Sequence, residues 1–552
     1  MDLLLFTLVG LLSLRVKCQH HGTRAGAVTS EVDVCSKIGI RLLKEGGNAA
    51  DAAIGTTLCV GVIAMYHSGI GGGGFMNIRS PTGVYEIVDF RETAPAAAYQ
   101  DMYSNNTDAS LYGGLAVGVP GELRALEHLH KRYGSLAWYD LFAPSIKLAR
   151  EGFVISADFF LYMTTVTPSN SFLSTDPAWA LDFAPNGTLL GVGDKISRKR
   201  YADTLETVAL KGPNAFYTGA IARTTIDAIR NARGIMTLKD LASFNVTLRK
   251  PVEIEYKGYT LRSVPAPASG AVVLQTFKVL EGYSNVGLNQ STHRLDEAIR
   301  FGYGERTLLG DPAFIDGVDA YQISMLAPET AAEVRAKISD FHTLNVSAYD
   351  PALIDSLNTP GTSQITAADS SGLVISLTTT INTLFGSQLI VPETGIILNN
   401  EMNDFSTPGV SDVKGYLPQP SNYIRPGKKP LSSMSPTIVE HGNGTFYVAL
   451  GAGGGSRIIT TNIQTLWHIL DHNMTGSIAL SQPRFHDQLV PNVMSFEYAF
   501  NNSTVAYLES LGHNVSWVPL GQSYGQAIRR LQNGSFEAAS EPRLANAGGY
   551  VT

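Results

Sequence analysis

Thr362 is one option for nucleophilic chemistry in this chain of 552 residues. It follows Pro360 and Gly361, a turn-forming pair, and it opens a section rich in β-branched residues. Cleavage before Thr362 would give one residue both a hydroxyl nucleophile and a free α-amine that can act as its base. An ordinary turn threonine is the alternative, and position alone favours that alternative.

A glycine-rich loop, Gly451–Ser456, offers a second chemical element between a predicted strand and a predicted helix that begins near Arg457. Ser456 stands where a dinucleotide motif needs its third glycine, and no Lys-Ser/Thr pair follows, so both nucleotide-binding patterns fail. The free N–H groups at a helix start can still hold an anion or a developing oxyanion. Gly69–Gly74 also matches GxGxxG, but without a flanking strand and helix it predicts a close backbone crossing.

Composition excludes several functional classes. There are 41 Lys and Arg against 48 Asp and Glu, a net charge of −7, and no dense basic run, which argues against nucleic-acid binding. The three cysteines, Cys18, Cys35 and Cys59, cannot form a disulfide-dense scaffold or a CxxC zinc site. The HExxH motif is absent from the sequence.

The first residues predict a secretory leader. The apolar run Leu3–Leu14 is short for a membrane helix, and residues 1–18 fit a signal peptide that leaves Gln19 as the new start; an uncleaved anchor is the alternative. Removal of Cys18 leaves Cys35 and Cys59, which we expect to bridge in an oxidising compartment, with two buried free thiols as the alternative. We therefore expect a secreted or secretory-pathway protein, attached to a membrane only if the leader is retained. Asn-x-Ser/Thr sites support this expectation at positions Asn105, Asn186, Asn245, Asn289, Asn345, Asn443, Asn473, Asn501, Asn502, Asn514 and Asn533.

The predicted strands and helices that must position these residues occur in separate blocks along the chain. The pattern predicts a short strand and two helices from Ala25 to about Gly61, a loop-forming segment over 311–361, and a β-rich section beyond it. Strands and helices in blocks indicate an α+β layered fold. Further predicted helices are Pro120–Arg132, Trp138–Arg150, Lys199–Leu210, Ala271–Glu281, Ser291–Leu309 and Ile459–Asp471, and predicted strands are 84–90, Leu115–Val119, Val252–Val264, Ile365–Ala368, Leu373–Thr380, Gly395–Leu398, Pro436–Val439 and Phe446–Leu450.

Several motifs together resemble one enzyme family. Their order and spacing are similar to those of the γ-glutamyltransferases, also called glutathione hydrolases, and the similarity covers nearly all of the chain after the leader. It overturns the interpretation of Thr362 as a turn residue. The motifs are Gly46–Ala52, Gly69–Phe75, Arg91–Pro95, Thr380–Asn382, Phe385–Ser387, Thr394-Gly395, Leu398–Phe405, Pro430–Pro436 and Gly451–Ser456.

The resemblance implies a self-processing mechanism. The Thr362 hydroxyl attacks the carbonyl of Gly361, water splits the resulting ester, and the same threonine then attacks the γ-carbonyl of a substrate. Gly454 and Gly455 would donate N–H groups to the oxyanion, and Thr380 would hydrogen-bond the nucleophile. No metal or organic cofactor is called for.

A γ-glutamyl substrate carries a zwitterionic head, so its site needs donors for the α-carboxylate and acceptors for the α-ammonium. The resemblance implies Arg91, Ser432 and Ser433 for the carboxylate, and Asn382, Glu401 and Asp404 for the ammonium. The donors would be glutathione, its conjugates and other γ-glutamyl compounds, and the acceptors water, amino acids or dipeptides.

The same resemblance implies a four-layer αββα sandwich of the N-terminal nucleophile hydrolase type. Two associated fragments, residues 19–361 and 362–552, would build it jointly as a heterodimer. The pair Cys35 and Cys59 also resembles a disulfide of secreted eukaryotic members.

Gln364 departs from the family pattern, in which histidine is common two residues after the nucleophile. Glutamine hydrogen-bonds but does not titrate near neutral pH, so slower self-cleavage is expected if that histidine assists it.

Two rival functions are left open by the sequence. An acylase of the same superfamily acting on another amide is disfavoured by Asn382, Glu401 and Asp404, and a secreted binding homologue that stays uncut has only Gln364 in its support.

Overall fold

The computed structural model describes residues 25–166, 172–284, 286–350, 352–354, 361–411 and 416–552. The predicted leader, together with Thr359 and Pro360, lies outside the described residues. The helices are α1 (Asp33–Lys44), α2 (Ala49–Ile63), α3 (Glu122–Tyr133), α4 (Trp138–Glu151), α5 (Ala157–Thr165), α6 (Phe172–Thr175), α7 (Pro177–Phe183), α8 (Lys199–Lys211), α9 (Asn214–Tyr217), α10 (Gly219–Asn231), α11 (Leu238–Ser243), α12 (Gly270–Leu280), α13 (Leu288–Arg306), α14 (Val318–Met325), α15 (Pro328–Lys337), α16 (Val346–Tyr349), α17 (Arg457–Leu470), α18 (Gly476–Ser481) and α19 (Asn502–Ser510). The strands are β1 (Gly26–Ser30), β2 (Gly73–Arg79), β3 (Tyr85–Asp89), β4 (Phe153–Val154), β5 (Lys195–Ile196), β6 (Thr247–Arg249), β7 (Val252–Tyr256), β8 (Tyr259–Ser263), β9 (Ser363–Asp369), β10 (Val374–Thr380), β11 (Thr437–His441), β12 (Phe446–Gly453), β13 (Phe485–His486), β14 (Met494–Glu497), β15 (Val515–Val518), β16 (Tyr524–Arg530), β17 (Phe536–Ala539) and β18 (Gly548–Val551).

Two large sheets form the centre of the molecule. The first has the strand order β18-β1-β9-β10-β2-β3-β6, and the second has the order β17-β16-β12-β11-β8-β7. Neighbouring strands within both sheets run antiparallel. Strands β9 and β10 are buried along their whole length, because both faces of the first sheet are covered.

Four layers result from how these sheets pack. Strands β9 and β10 of the first sheet contact β12 of the second, α1 and α2 cover the outer face of the first sheet, and α12 and α17 cover the second. The sheet-to-helix interfaces hold the two largest apolar clusters, and smaller ones such as that around Ala368, Ile438 and Ile528 lie between the sheets. The predicted αββα sandwich is confirmed.

Both sheets combine strands from before and after residue 361. In the first sheet, β9 and β10 pair with each other and are flanked by β1 on one side and β2 on the other. In the second, β11 pairs with β8. Neither half of the chain could therefore complete a sheet without the other.

The structure confirms most predicted elements and corrects four. Val252–Val264 is two antiparallel strands, β7 and β8, because the chain turns at Gly258, which has a φ of 83°. Segment 311–361 is not simply a loop, because α14, α15 and α16 lie within it; Pro328 at the first turn and the Ala, Glu and Arg residues after it favour a helix. Leu115–Val119 is not a strand: it contains a 3-10 turn, and Val119 makes one bridge to Thr93. Gly395–Leu398 is limited to a single bridge, because Gly395 has a φ of 67°.

Two predicted local features are also present. A Cβ atom on Gly72 would lie 1.9 Å from the carbonyl oxygen of Thr380, so this glycine permits the close crossing of two backbones. Cys35 and Cys59 form a disulfide that joins α1 to α2. Among the described residues, no helix has the length and apolarity needed to cross a bilayer.

Candidate active site

Thr362 lies directly before β9, at the centre of the first sheet. The antiparallel register pairs Ser363 with Thr379, so Thr362 comes next to Thr380 at the end of β10. The hydroxyl of Thr362 donates to Oγ1 of Thr380 over 3.3 Å, and the N–H of Asn382 donates to the same oxygen over 2.8 Å. The predicted nucleophile is therefore buried and oriented by the predicted partner.

The two residues that flank the scissile peptide bond, Gly361 and Thr362, have unusual backbone φ angles. Gly361 has a φ of 133° and Thr362 a φ of 107°, which is an outlier for a β-branched residue. A Cβ on Gly361 would lie 1.7 Å from the carbonyl oxygen of Asn382, so only glycine fits. Backbone outliers of this kind cost about 1–3 kcal/mol each and cluster at functional sites.

The glycine-rich loop faces this bond. The N–H of Gly454 donates to the carbonyl oxygen of Gly361 over 3.2 Å. Gly454 and Gly455 have φ values of 122° and 58° and lead into α17, so the loop turns at the start of a helix. The donor predicted for the oxyanion thus already contacts the carbonyl that Thr362 would attack.

The side chain of Ser363 fixes the start of β9 from the other face. Its hydroxyl donates to Glu31, whose second oxygen lies 2.8 Å from Nδ1 of His67. Nε2 of His67 lies 2.8 Å from the hydroxyl of Tyr524. Sequence reasoning missed this buried chain, because its members come from distant segments and carry no common motif.

Arg91 is fully buried between two carboxylates. Its two terminal nitrogens form ion pairs with Glu401 and with Asp404. Nε and Nη2 also approach the carbonyl oxygens of Pro430 and Leu431 at 3.4 and 3.5 Å. The structure therefore brings the arginine and both acids together, but the forked contact is made to protein carboxylates, since a buried guanidinium needs acceptors.

Three carboxyl groups lie around the guanidinium of Arg91. Burial lowers the pKa of Arg91, but the carboxylates of Glu401 and Asp404 outweigh this and leave its pKa above the ordinary value. Burial raises the pKa of Glu401 well above its usual range, against the attraction of Arg91. Burial also raises the pKa of Glu92 to about 8, and both oxygens of Glu92 are buried without a hydrogen-bond partner among the described residues. Because burial makes Glu92 and Glu401 hold their protons more tightly, a ligand ammonium would stabilise their charged forms.

The remaining predicted residues border the same region. Nδ2 of Asn382 donates to the carbonyl oxygen of Asn400 over 3.0 Å, which links the nucleophile's partner to the segment of Glu401. Oγ of Ser432 accepts from the N–H of Met434 over 3.2 Å. Ser433 is half-buried.

A second guanidinium reaches this region from α13. Nη2 of Arg306 donates to Oγ of Ser433 over 3.2 Å, and Nε donates to Ser269 over 2.9 Å. Sequence analysis did not single out Arg306 or Glu92. Glu92 lies within the Arg91–Pro95 motif, so the sequence offered a signal for it. Arg306 contacts Ser433 only in the folded protein, so its position in the sequence offered none.

Gln364 does not contact the nucleophile. Its Nε2 donates to Ser376 over 3.0 Å and its Oε1 accepts from Thr378 over 2.6 Å, and the side chain faces Gly451 of β12. Glutamine thus supplies both a donor and acceptors between the two sheets. Its position makes it part of the support of β9 and β10.

The geometry agrees with comparisons to known proteins. The family model described as Gamma-glutamyltranspeptidase matches residues 35–551. The "Glutathione hydrolase proenzyme" of Arthroderma benhamiae is 52% identical over 556 residues, covering 98% of this chain and 95% of that protein. The "Glutathione hydrolase" of Aspergillus flavus is 45% identical over 533 residues, covering 95% and 89%.

Solved structures agree on the fold. The cephalosporin acylase from Bacillus halodurans superposes with a TM-score of 0.83 at 24% identity, covering 96% of each chain, which supports the fold alone. The Helicobacter pylori gamma-glutamyltranspeptidase superposes with a TM-score of 0.52 at 32% identity, over 55% of this chain and 89% of that chain. Because the family match spans nearly the whole chain and the relatives are similar over almost their full lengths, this chain belongs to the gamma-glutamyltranspeptidase family.

Proposed function

We propose that this enzyme cleaves the γ-glutamyl amide of glutathione and glutathione conjugates. The glutamyl group passes to the Thr362 hydroxyl and then to water, an amino acid or a dipeptide. Membership of the family and the names of its relatives support the donor class. The choice of acceptor rests on the chemistry of the ester, which any suitable amine or water can attack.

One observation carries the proposal that the enzyme matures by cutting itself: the contact of Gly454 N–H with the Gly361 carbonyl beside the Thr362 hydroxyl. Attack of the hydroxyl oxygen on the Gly361 carbonyl carbon forms a C–O bond, and the Gly454 N–H stabilises the oxyanion. The C–N bond then breaks and the nitrogen takes the hydroxyl proton. Water hydrolyses the ester, which leaves a carboxylate on Gly361 and a free amine and hydroxyl on Thr362.

The same groups then act on the substrate. The new amine accepts the Thr362 hydroxyl proton, and the oxygen attacks the γ-carbonyl and forms an ester while the thiol peptide leaves as an amine. The Gly454 N–H, released from Gly361, stabilises the new oxyanion, and Gly455 supplies the second donor. Thr380 holds the hydroxyl on the line of attack.

The charged region around Arg91 recognises the zwitterionic head. The excess of carboxyl groups favours the α-ammonium, which Glu401 and Asp404 accept with help from Asn382. Arg91, with Ser432 and Ser433, receives the α-carboxylate, so substrate binding exchanges one of the internal ion pairs of Arg91 for a pair with the ligand. A neutral acyl group of similar size offers no such exchange, which argues against the acylase alternative.

The two products of cleavage, residues 19–361 and 362–552, remain one folded unit. Strands from both are neighbours in both sheets, so separation would break backbone hydrogen bonds and expose both apolar clusters. The active enzyme is therefore a heterodimer of fragments.

We also propose secretion, with residues 1–18 acting as the leader. Ten of the eleven Asn-x-Ser/Thr asparagines are exposed and Asn289 is half-buried, so the glycosylation sites suit a protein of the secretory pathway. The Cys35–Cys59 disulfide suits an oxidising compartment.

N-terminal sequencing and intact mass of the deglycosylated protein from a eukaryotic secretion host test these proposals. We expect one N-terminus at Gln19 and a second at Thr362, with glutamate released from glutathione. The Thr362→Ala variant should stay a single chain without activity.

The alternatives predict different results. A single uncut wild-type chain that releases no glutamate would refute the proposed activity and favour the binding homologue, with Gln364 the first residue to change to histidine. A cut protein that ignores glutathione but hydrolyses a glutaryl amide would favour the acylase.

A further inference from the structure

A buried group of two histidines and a glutamate joins α13 to the loop after α19. His293 and Glu297 lie one turn apart on α13, and His513 follows α19. Their exposed fractions are 0%, 0% and 3%. One ligand-capable atom from each lies within 4.8 Å of the others.

The ring of His293 turns its lone pair towards His513. Nε2 of His293 lies 2.7 Å from the carbonyl oxygen of Ser339, which can only accept, so Nε2 carries the proton and Nδ1 the lone pair. Oδ2 of Asp296 lies 3.1 Å from Nδ1 of His513, but neither atom has a hydrogen-bond partner among the described residues, so this carboxyl group is placed to accept from Nδ1–H once a metal ion occupies Nε2. Nδ1 of His293 lies 2.9 Å from Nε2 of His513, so in the metal-free protein a proton on Nε2 of His513 bridges the two rings, and a bound metal ion would replace that proton.

Glu297 completes a set of three ligand atoms. Its Oε1 lies 3.9 Å from Nε2 of His513. The hydroxyl of Tyr349 donates to both carboxylate oxygens over 2.8 and 2.7 Å, and Thr343 donates to Oε1 over 2.7 Å. Such outer contacts orient the ligands of metal sites in proteins.

One buried carboxyl group beside the three ligand residues is incompletely paired among the described residues. Asp296 is fully buried, and neither of its oxygens has a hydrogen-bond donor among the described residues. Arg300, on the same helix, forms its ion pair with Asp487 over 2.8 Å. Asp296 and Glu297 thus hold two buried carboxyl groups that a divalent cation would balance.

We propose that Nδ1 of His293, Nε2 of His513 and Oε1 of Glu297 bind a divalent transition-metal ion of the Zn²⁺ type. Two imidazoles and one carboxylate are a ligand set that zinc accepts, with water as the fourth ligand. Bonds of about 2.0–2.1 Å place tetrahedral ligand atoms about 3.3 Å apart, so the observed 2.9 and 3.9 Å need only small side-chain movements. The Ser339 carbonyl fixes the ring of His293, and Asp296, beside Nδ1 of His513, would orient the second ring when the ion binds.

The ion would bridge two parts of the chain. His293 and Glu297 precede Gly361, and His513 follows it. If the proposed cleavage occurs, the ion joins the two fragments and slows their separation. This consequence rests on the proposed function, whereas the metal site itself does not.

The test uses the full chain, purified without a metal-affinity step, treated with EDTA, loaded with Zn²⁺ and desalted. Mass spectrometry of the metal should find about one Zn²⁺ per chain in the wild type. His513→Gln and Glu297→Gln should retain less than about a tenth of that, because each removes one ligand. His342→Gln is the matched control, since His342 is exposed and near Ser339 but is not a ligand; it should retain the full amount.

Loading with Co²⁺ provides a measurement that needs no variant. The wild type should acquire the visible absorption of tetrahedral Co²⁺, which Zn²⁺ then displaces, and Zn²⁺ should raise the unfolding temperature of the wild type but not of folded His513→Gln. A wild type that retains no Zn²⁺ and shows no Co²⁺ absorption would overturn the proposal, as would a folded His513→Gln protein with undiminished Zn²⁺. Because glutamate release from glutathione is measured separately, failure of the metal site and failure of the enzyme are distinguishable.

Discussion

Replacing Thr380 by valine removes one hydroxyl group from the active site while the shape of the side chain stays nearly the same. In the wild type, Oγ1 of Thr380 accepts from the Thr362 hydroxyl over 3.3 Å and from the Asn382 N–H over 2.8 Å. Thr380 is 1% exposed, so water cannot replace the lost acceptor. The variant should therefore both misorient the nucleophile and leave a buried N–H unpaired.

The two effects have different sizes. An unpaired buried donor costs about 1–3 kcal/mol of folding free energy. Loss of the bond that orients the nucleophile should raise the barrier to self-cleavage by about 1.4–2.7 kcal/mol, which corresponds to roughly 10- to 100-fold slower cleavage. Thr380→Ser keeps the hydroxyl and should cleave within about threefold of the wild-type rate.

The assay follows the two fragments by intact mass, from precursor made rapidly in a cell-free system. Thr379→Val is the matched control, since Thr379 is the neighbouring residue of β10 and its hydroxyl donates to Glu122, away from Thr362. That variant also loses a buried hydrogen bond, so it reports the effect of lower stability alone. Urea unfolding of each variant measures that stability directly.

Two results would refute this reasoning. If Thr380→Val cleaves as fast as wild type, the 3.3 Å contact does not orient the nucleophile. If Thr380→Val and Thr379→Val are slowed equally, the effect is a general loss of stability and Thr380 has no specific role.

Three further predictions concern other parts of the molecule. Arg91→Lys should cut itself normally but lower kcat/KM for glutathione by roughly 30- to 5,000-fold, since losing a buried charged pair costs about 2–5 kcal/mol; an unchanged kcat/KM would remove Arg91 from the substrate site. Replacing both Cys35 and Cys59 by alanine opens a loop with a sequence separation of 24 and should lower the free energy of unfolding by about 3 kcal/mol in urea titrations, whereas no change would mean that the bridge is dispensable. Burial raises the pKa of Glu92 from 4.5 to about 8, so its proton is bound more tightly in the folded protein, and this group should make stability fall as pH rises through that window. The unfolding temperature of Glu92→Gln should therefore drop less than that of the wild type between about pH 5 and about pH 9. An equal drop in the two proteins would contradict the raised pKa of Glu92.

The sequence predicted the local elements well where one pattern dominated. The amphipathic spacing of α3, α4 and α8 and the apolar runs of β9 and β10 were recognisable because burial of one face or of both faces leaves a period in the residues. The strand predicted at Leu115–Val119 was wrong because a short apolar run has no period of its own. The loop predicted over 311–361 was wrong because Pro328, taken as a loop residue, stands in the first turn of α15, where proline is favoured.

Some residues of the candidate active site were predictable from the sequence and others were not. Thr362 and Gly454 could be predicted because each lies in a contiguous motif. Their residue types also match two needs of acyl transfer, a nucleophile and a donor to the oxyanion. Arg306 and Glu31 were not, because each meets its partner only after strands or helices distant in sequence come together. The metal-site proposal at His293 and His513 depends in the same way on a contact across 220 residues.

By itself, the sequence determined the family and predicted the nucleophile and the type of substrate head, because these depend on which residue types stand in which order. Only the tertiary structure decided that the Gly361 carbonyl meets the Gly454 N–H, that Arg91 is held by two acids before any ligand arrives, and that Gln364 supports the sheets instead of the nucleophile. The physical reason is that hydrogen bonds and ion pairs act over about 3 Å in space, and spacing along the chain does not fix those distances until the sheets have formed.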